Sequence, residues 1–219
     1  MEFWIVQKSV PVLLEGVKTT AFLAIIGIIG GIVLGFFVAI AQMQKIRIIR
    51  WIAILFKEVF RCCPIIVMLV WLFYCLPVLF DIRLSALWVG CLSLIGYGAA
   101  CYGETFRAGI QAISQQQKDA ANSLSLSKSQ TYIYVIIPQL FRIVIPPTLS
   151  QSISILKESS ICSVIAINEV MFVTRTLSHE TYLPALFLTA AGIIYYVVAA
   201  PLENLVSLLE ARLKSKTAT

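Results

Sequence analysis

Two adjacent charges, Lys157 and Glu158, lie inside an otherwise apolar stretch from Ile143 to Asn168. In a helix the two side chains point about 100° apart, so they do not simply satisfy each other. Each therefore needs another partner, either elsewhere in the protein or on a substrate. Ionisable side chains are costly inside a membrane span and mark functional sites there, so both are candidates for a substrate pathway. The alternative is that they pair with charges on other helices, for example Glu104 or Arg61.

Polar neighbours on the same stretch extend this set of candidates. Gln151 lies one to two turns before Lys157, and Ser159 follows Glu158 directly. The predicted substrate-pathway residues are therefore Gln151, Lys157, Glu158, Ser159, Arg61 and Glu104. Glu169, just beyond the stretch, is predicted to cap or gate its outer end.

Several motifs that carry chemistry are absent from the sequence. It contains no G-x-x-x-x-G-K-[ST] phosphate loop, no H-E-x-x-H and no G-x-S-x-G. His179 is the only histidine, and the six cysteines lie in or beside apolar segments, as small packing residues do. We therefore expect no cofactor or metal in this chain. Any pumping would draw its energy from another subunit or from an ion gradient.

The composition indicates a bilayer as the main solvent. Of 219 residues, 59% are hydrophobic and 13% are charged, whereas about 25% are charged in a typical soluble domain. Apolar stretches long enough to cross a membrane need about 20 residues. The sequence predicts an all-α membrane protein with five such spans, which are Thr19–Gln44, Cys62–Phe80 with a lead-in over Trp51–Phe56, Leu84–Gly103, Ile143–Asn168 and Thr181–Leu202.

The distribution of Lys and Arg predicts the orientation of these spans. One side carries twelve of them, namely Lys45, Arg47, Arg50, Lys57, Arg61, Arg107, Lys118, Lys128, Arg142, Arg212, Lys214 and Lys216. The other side carries four, namely Lys8, Lys18, Arg83 and Arg175. Because cytoplasmic loops are enriched in Lys and Arg, the N-terminus is predicted outside and the C-terminus in the cytoplasm. The net charge of +6 is thus explained by topology and headgroup contacts, and nucleic-acid binding is not expected.

Span packing and helix breaks are also suggested by the sequence. Gly27, Gly31 and Gly35 are four residues apart, which places them on one helix face where another helix can approach closely. The spacing fits both a specific partner helix and general packing in the bundle. The Pro146–Pro147 pair is predicted to break the chain at the entry to the fourth span.

The long polar connection from Glu104 to Arg142 is the least membrane-like part of the chain. Asp119 is a plausible helix-start residue, because its carboxylate can accept from unpaired backbone amides. Ala120, Ala121 and Leu124 would then form a small apolar ridge. Such a ridge fits a groove on a partner protein, or alternatively lies on the lipid headgroups.

The spacing in this connection resembles the hallmark of the permeases of bacterial binding-protein-dependent ABC importers, in the polar amino acid branch. That hallmark is Glu-Ala-Ala, three residues, Gly, nine residues and Ile-x-Leu-Pro. Here Asp119-Ala120-Ala121 is followed by Ser125 at the glycine position and then by Val135-Ile136-Ile137-Pro138. The spacing is intact, although Asp replaces Glu and Ser replaces Gly.

Further segments resemble the same family in order along the chain. They are Gly16–Thr20, Glu58–Pro64, Glu104–Arg107, Leu156–Ser160 and Leu209–Arg212. In the second of them, Cys62 and Cys63 stand where the family usually has Gly-Thr. The resemblance covers nearly the whole chain.

The resemblance implies a fold and a set of partners. The fold is a type I ABC importer permease domain over residues 1–219, in the bacterial inner membrane, with a cytoplasmic coupling segment at about 107–142. That segment would dock on an ATPase subunit through Asp119, Ala120, Ala121, Leu124, Ser125 and Pro138. The implied partners are two ATP-binding cassette subunits that hold ATP and Mg, a second permease chain (identical or paralogous), an extracytoplasmic amino-acid-binding protein and membrane lipid. An amino acid substrate offers both a carboxylate and an ammonium, which suits Lys157 and Glu158.

Two other functions compete with the importer. A gradient-driven secondary transporter would explain the spans and buried charges, but not the long polar connection or its spacing, and the chain shows no internal repeat. An intramembrane hydrolase would use Ser154 with Lys157 as its base, one turn away. No oxyanion motif supports that hydrolase.

Overall fold

The computed structural model describes the backbone of residues 2–215 and most of their side chains; those of 2–6, 118, 122, 128, 210 and 212–215 are outside the described set. All regular structure in this part of the chain is helical. The helices are α1 (Glu2–Gln42), α2 (Arg47–Cys62), α3 (Ile65–Phe80), α4 (Ala86–Ala112), α5 (Gln115–Ser123), α6 (Thr131–Ile165), α7 (Val170–Thr181) and α8 (Pro184–Ser215). The tail charges Arg212, Lys214 and Lys216 and the Glu210–Arg212 part of the last resemblance lie outside the described side chains.

Four of these helices are long and apolar enough to cross a membrane, namely α1, α4, α6 and α8. Helices α2 and α3 are long and apolar enough to cross a membrane when taken together, with a bend of 106° between them. With that pair counted as one span the total is five, as predicted. The bend falls at Pro64, because the residue before a proline avoids the helical conformation. Cys63 is accordingly extended, with φ −79° and ψ 134°.

The predicted span limits differ from the observed helices because polar residues do not end a helix. Helix α1 begins well before Thr19, and α6 begins within the polar connection at Thr131. Thr181 closes α7 rather than opening the last span, which starts at Pro184 after a left-handed Tyr182.

Pro146 and Pro147 do not break the chain, so that prediction was wrong. Both lie inside the α-helical part of α6, Ile137–Glu158. Proline is more frequent in membrane helices than in soluble ones, and the helix continues through both residues.

The glycine face of α1 packs against α4. A Cβ added to Gly31 would lie 3.0 Å from the Cα of Gly98, and one added to Gly27 would lie 2.9 Å from the Leu94 side chain. Gly35 meets Tyr102 in the same way. These contacts advance in the same direction along both helices, so α1 and α4 are parallel. The chain must therefore cross back between them, which the bent α2–α3 pair does.

The carboxylate of Glu169 fixes the short helix α7. It is fully buried and accepts hydrogen bonds from the backbone amides of Met171 at 2.9 Å and Phe172 at 2.7 Å. The hydroxyl of Tyr195 on α8 donates to the same carboxylate at 2.7 Å. Burial raises the pKa of Glu169 above its usual range, while these bonds act in the opposite direction. Glu169 therefore caps the start of α7 rather than the outer end of the fourth span, and the cap ties α7 to α8.

We predict that Gly31→Leu destabilises the permease, because the added side chain forces α1 away from α4. Overpacking of this kind costs about 1–3 kcal/mol. The midpoint of thermal unfolding of the purified protein in detergent measures the effect. Gly192→Leu is the matched control, because a Cβ at Gly192 meets nothing within 4 Å. Equal midpoints for the two variants would contradict the packing role of Gly31.

Candidate functional site

A cavity of about 450 Å³ lies between α2, α4 and α6. Three of the six predicted pathway residues line it, each from a different helix: Arg61, Glu104 and Gln151. Arg61 occupies the last turn of α2, just before the Pro64 bend. Because the chain bends directly after α2, the Arg61 side chain stays at the cavity.

The carboxylate of Glu104 is already neutralised by two cations. It accepts from the Nε of Arg107 at 3.1 Å and from the Nζ of Lys57 at 3.4 Å, and a second Arg107 nitrogen also contacts it. Among the described residues, the ion pairs include no carboxylate bound to Arg61. Arg61 is therefore the cation at the cavity that a substrate anion can use.

The side-chain nitrogen of Gln151 is buried and lacks a hydrogen-bond partner within the described part of the chain. Leaving a buried polar group unsatisfied costs free energy, so such groups usually meet water or a ligand. Because Gln151 lines the cavity, this nitrogen is available to a hydrogen-bond acceptor there.

Lys157 points away from this cavity. Its ammonium pairs with the carboxylate of Glu203 on α8 at 2.6 Å, beside a second, smaller cavity of about 290 Å³. Lys157 thus pairs with a charge on another helix, as the alternative held, but the partner is Glu203 rather than Glu104. Glu203 was missed by the sequence prediction because it directly follows the end of the last predicted span at Leu202. Extending that span by one turn would have found it.

Glu158 and Ser159 occupy different surroundings from Lys157. Glu158 is half-buried and shares a helix face with Gln151, seven residues earlier. The hydroxyl of Ser159 is fully buried and donates to the Leu156 carbonyl at 2.7 Å. Ser159 thus bonds to the backbone just after the α-helical part of α6 ends at Glu158, and it lines neither cavity.

Helix α6 exposes a polar face although it is a candidate span. Only 11% of the most apolar stretch of α6 is buried within the chain, whereas 61% of the corresponding stretch of α4 is buried. The exposed side includes Ser150 and Lys157, and Gln151, Ser154 and Glu158 lie partly exposed beside them. Lipid does not solvate such a face, so it must meet water or another protein chain.

The hydrolase alternative finds no support in the geometry of Ser154. Its hydroxyl donates to the Ser150 carbonyl at 3.2 Å, while Lys157 is bound to Glu203. Lys157, the base that would activate Ser154, therefore bonds to Glu203 and not to the serine hydroxyl.

The polar connection is largely helical. Helices α4 and α6 extend into it, and residues 113–130 lie between these two helices. Helix α5 begins at Gln115, so Asp119 is not its first residue. The Asp119 carboxylate instead accepts from the Gln115 side-chain amide at 3.1 Å.

The predicted apolar ridge divides between two faces. Ala121 is buried within its own segment, whereas Ala120 is exposed and Leu124 is 76% exposed. Leu124 is therefore the apolar side chain of this segment that is free to meet a partner. Pro138 lies farther on, exposed, in the first turn of the α-helical part of α6.

Ser125 adopts the conformation that explains why a glycine suits this position. Its φ is +57°, in the left-handed region, and the backbone amide of Leu126 bonds to the Ala121 carbonyl at 3.2 Å. This is the Schellman arrangement that ends helices, usually with glycine at the left-handed residue. Serine keeps the turn at some conformational cost.

Comparison with known proteins identifies the family. Residues 9–215 match the family described as binding-protein-dependent transport system inner membrane component. The chain belongs to this family. It is a permease subunit of an amino acid ABC importer, a multi-pass protein of the bacterial inner membrane and a transporter component rather than an enzyme. Permeases of this family work with ATPase and substrate-binding partners.

Individual relatives cover nearly the full length. The arginine transport system permease protein of Bacillus subtilis (strain 168) is 30% identical over 215 residues, 98% of each chain. The glutamate/aspartate import permease protein of Escherichia coli O157:H7 is 28% identical, over 94% of this permease and 96% of the relative. The crystal structure of an amino acid ABC transporter with histidines contains a chain with a TM-score of 0.89 and 30% identity, covering 97% of this permease and 99% of that chain. The predicted type I importer fold is thereby confirmed.

We predict that Ser125→Gly slows local opening of the turn after α5, because glycine removes the left-handed penalty of about 1–2 kcal/mol. Hydrogen exchange of the amides at 124–126 measures that opening. Ser123→Gly is the control of opposite sign, since Ser123 lies in the last turn of α5 and glycine weakens a helix. Faster exchange in Ser125→Gly than in the unaltered permease would overturn this account of the turn.

Proposed function

We propose that this permease imports polar amino acids by alternating access, driven by ATP hydrolysis in a separate ATPase subunit. It forms half of the translocation pathway, with a second permease chain, identical or paralogous, forming the other half. Two ATP-binding cassette subunits hold ATP and Mg on the cytoplasmic side. An amino-acid-binding protein delivers substrate outside, where the permease has its N-terminus.

The exposed apolar side chain of Leu124 on the polar connection is the observation that carries this proposal. Leu124 is 76% exposed on a polar connection that joins α4 directly to α6. These are the helices that bear Glu104 and Gln151 at the cavity. A force applied to α5 by a partner therefore reaches both walls of the cavity. Such a movement would shift the population between inward- and outward-facing states.

The cavity chemistry supports an α-amino acid as the substrate. The guanidinium of Arg61 suits a carboxylate, which arginine can bind through two parallel hydrogen bonds. The Gln151 amide offers a further polar contact, and Glu158, on the same face of α6, suits an ammonium. The relatives named above handle arginine in one case and glutamate or aspartate in the other. Their side chains have opposite charges, so the shared α-carboxylate and α-ammonium are the features that this pathway is proposed to recognise.

The ATPase partner is tested by purification. The permease, tagged in its native host and extracted in mild detergent, is expected to retain an ATPase subunit, and the same preparation shows whether the second permease is identical or paralogous. Recovery of the permease alone, under conditions that preserve a known ABC importer, would favour a gradient-driven transporter.

We predict that Leu124→Arg uncouples the purified complex. A charge at this apolar contact should lower substrate-stimulated ATP hydrolysis by about tenfold or more, as loss of a central interface anchor does. The assay is ATPase activity with and without the binding protein and its substrate. Leu124→Met is the matched control, because it conserves volume and polarity and should keep stimulation. If Leu124→Arg is stimulated like the unaltered complex, α5 is not the coupling helix.

We also predict that Arg61→Gln lowers transport without releasing the ATPase subunit. Losing a charge-assisted bond of about 1.5–3 kcal/mol should reduce uptake about tenfold or more. Uptake of radiolabelled L-arginine, L-glutamine and L-glutamate into proteoliposomes identifies the substrate and measures the loss. Arg175→Gln serves as the control, because Arg175 is exposed on α7 and does not line the cavity. Unchanged uptake by Arg61→Gln would remove Arg61 from the pathway.

A further inference from the structure

Helix α2 presents two unlike faces. One face packs on the bundle through Ala53, which is buried, and through Phe60, whose ring lies against Gly96 of α4. The opposite face carries an apolar stripe that no other helix of the described chain covers. Its members are Ile48 (71% exposed), Trp51 (65%), Ile52 (63%) and Leu55 (64%). Their spacing places them on one side of the helix.

The stripe contains a groove suited to hydrocarbon. A groove of about 290 Å³ is lined by Trp51, Ile52, Ile54, Leu55 and Glu58. Its one charged residue, Glu58, sits at the end and is paired with the Nζ of Lys57 at 2.8 Å. The groove therefore offers a nearly continuous apolar wall to its occupant.

Three cationic side chains lie at or just before the start of α2. Lys45, Arg47 and Arg50 are all exposed, and the described hydrogen bonds and ion pairs include none to their side chains. The first turn of α2 contains no acidic residue. Arg47 and Arg50 lie within one turn of Trp51, so the positive charge adjoins the apolar groove.

We infer that this face of α2 binds an anionic phospholipid. The phosphate lies among Lys45, Arg47 and Arg50, and an acyl chain lies along the groove beside Trp51. Basic clusters next to apolar helix surfaces attract anionic headgroups, and tryptophan favours the boundary between headgroup and hydrocarbon. A second copy of the chain is a poorer occupant. A two-fold contact places the same patch on both subunits, so the two sets of cations would face each other.

The test uses the permease complex with its co-purifying subunits, reconstituted in nanodiscs. The lipid is phosphatidylglycerol or phosphatidylcholine with brominated acyl chains, which quench tryptophan fluorescence on contact. The signal of Trp51 is the difference between the unaltered complex and one carrying Trp51→Phe. We expect the quenching of Trp51 to require about tenfold less brominated phosphatidylglycerol than phosphatidylcholine. We expect this preference to disappear in the triple variant Lys45→Gln, Arg47→Gln, Arg50→Gln.

The matched control removes three exposed cations elsewhere, through Arg83→Gln, Arg142→Gln and Arg175→Gln, and should keep the preference. Equal quenching by both lipids in the unaltered complex would overturn the inference, as would a preference that survives in the first triple variant. A Trp51 that neither lipid quenches would show that protein covers this face, which also overturns it.

Discussion

The close contact between α1 and α4 is the constraint on which the rest of this structure depends. Lipid gives no hydrophobic driving force for helix association, so membrane helices gain stability by close packing of their surfaces. Gly31 and Gly98 bring the two backbones together, since a Cβ on either would meet the other helix within about van der Waals distance. The core of the molecule forms around this pair, with Leu23, Leu94 and Tyr102 buried beside it.

Helix α4 then positions the other elements. It meets α2 where Phe60 lies against Gly96, and it meets α6 where Val144 lies against Gly109. The cavity with Arg61, Glu104 and Gln151 is the space left between these contacts. Because α4 ends at Ala112 and α5 begins at Gln115, the helix that forms one wall of the cavity leads directly into the segment that we propose contacts the ATPase.

Two polar features of this chain are neither satisfied nor covered. The Gln151 side-chain nitrogen lacks a partner among the described residues, and α6 exposes charged and hydroxyl side chains within a candidate span. Both features would be unfavourable in contact with lipid. They fit a family whose members work with ATPase and substrate-binding partners. Lys157 differs from these groups, because Glu203 of the same chain pairs with its ammonium and the charge is not isolated within the span.

The sequence by itself determined the number of spans, the family and the place of the turn at Ser125. These features are local, since hydropathy over one helix and the spacing from Asp119 to Pro138 are set by neighbouring residues. The family resemblance places a glycine at the position of Ser125, and the left-handed backbone there is the physical reason.

Only the tertiary structure decided which charges meet. Lys157 and Glu203 are 46 residues apart, and the cavity gathers side chains from three helices. The side chain that faces outward, Leu124 rather than Ala121, depended on where the segment folds back onto α6. Because α5 starts at Gln115, Asp119 lies inside a helix and not at its cap. Such outcomes follow from the packing of distant helices against each other, and no pattern within a single helix encodes them.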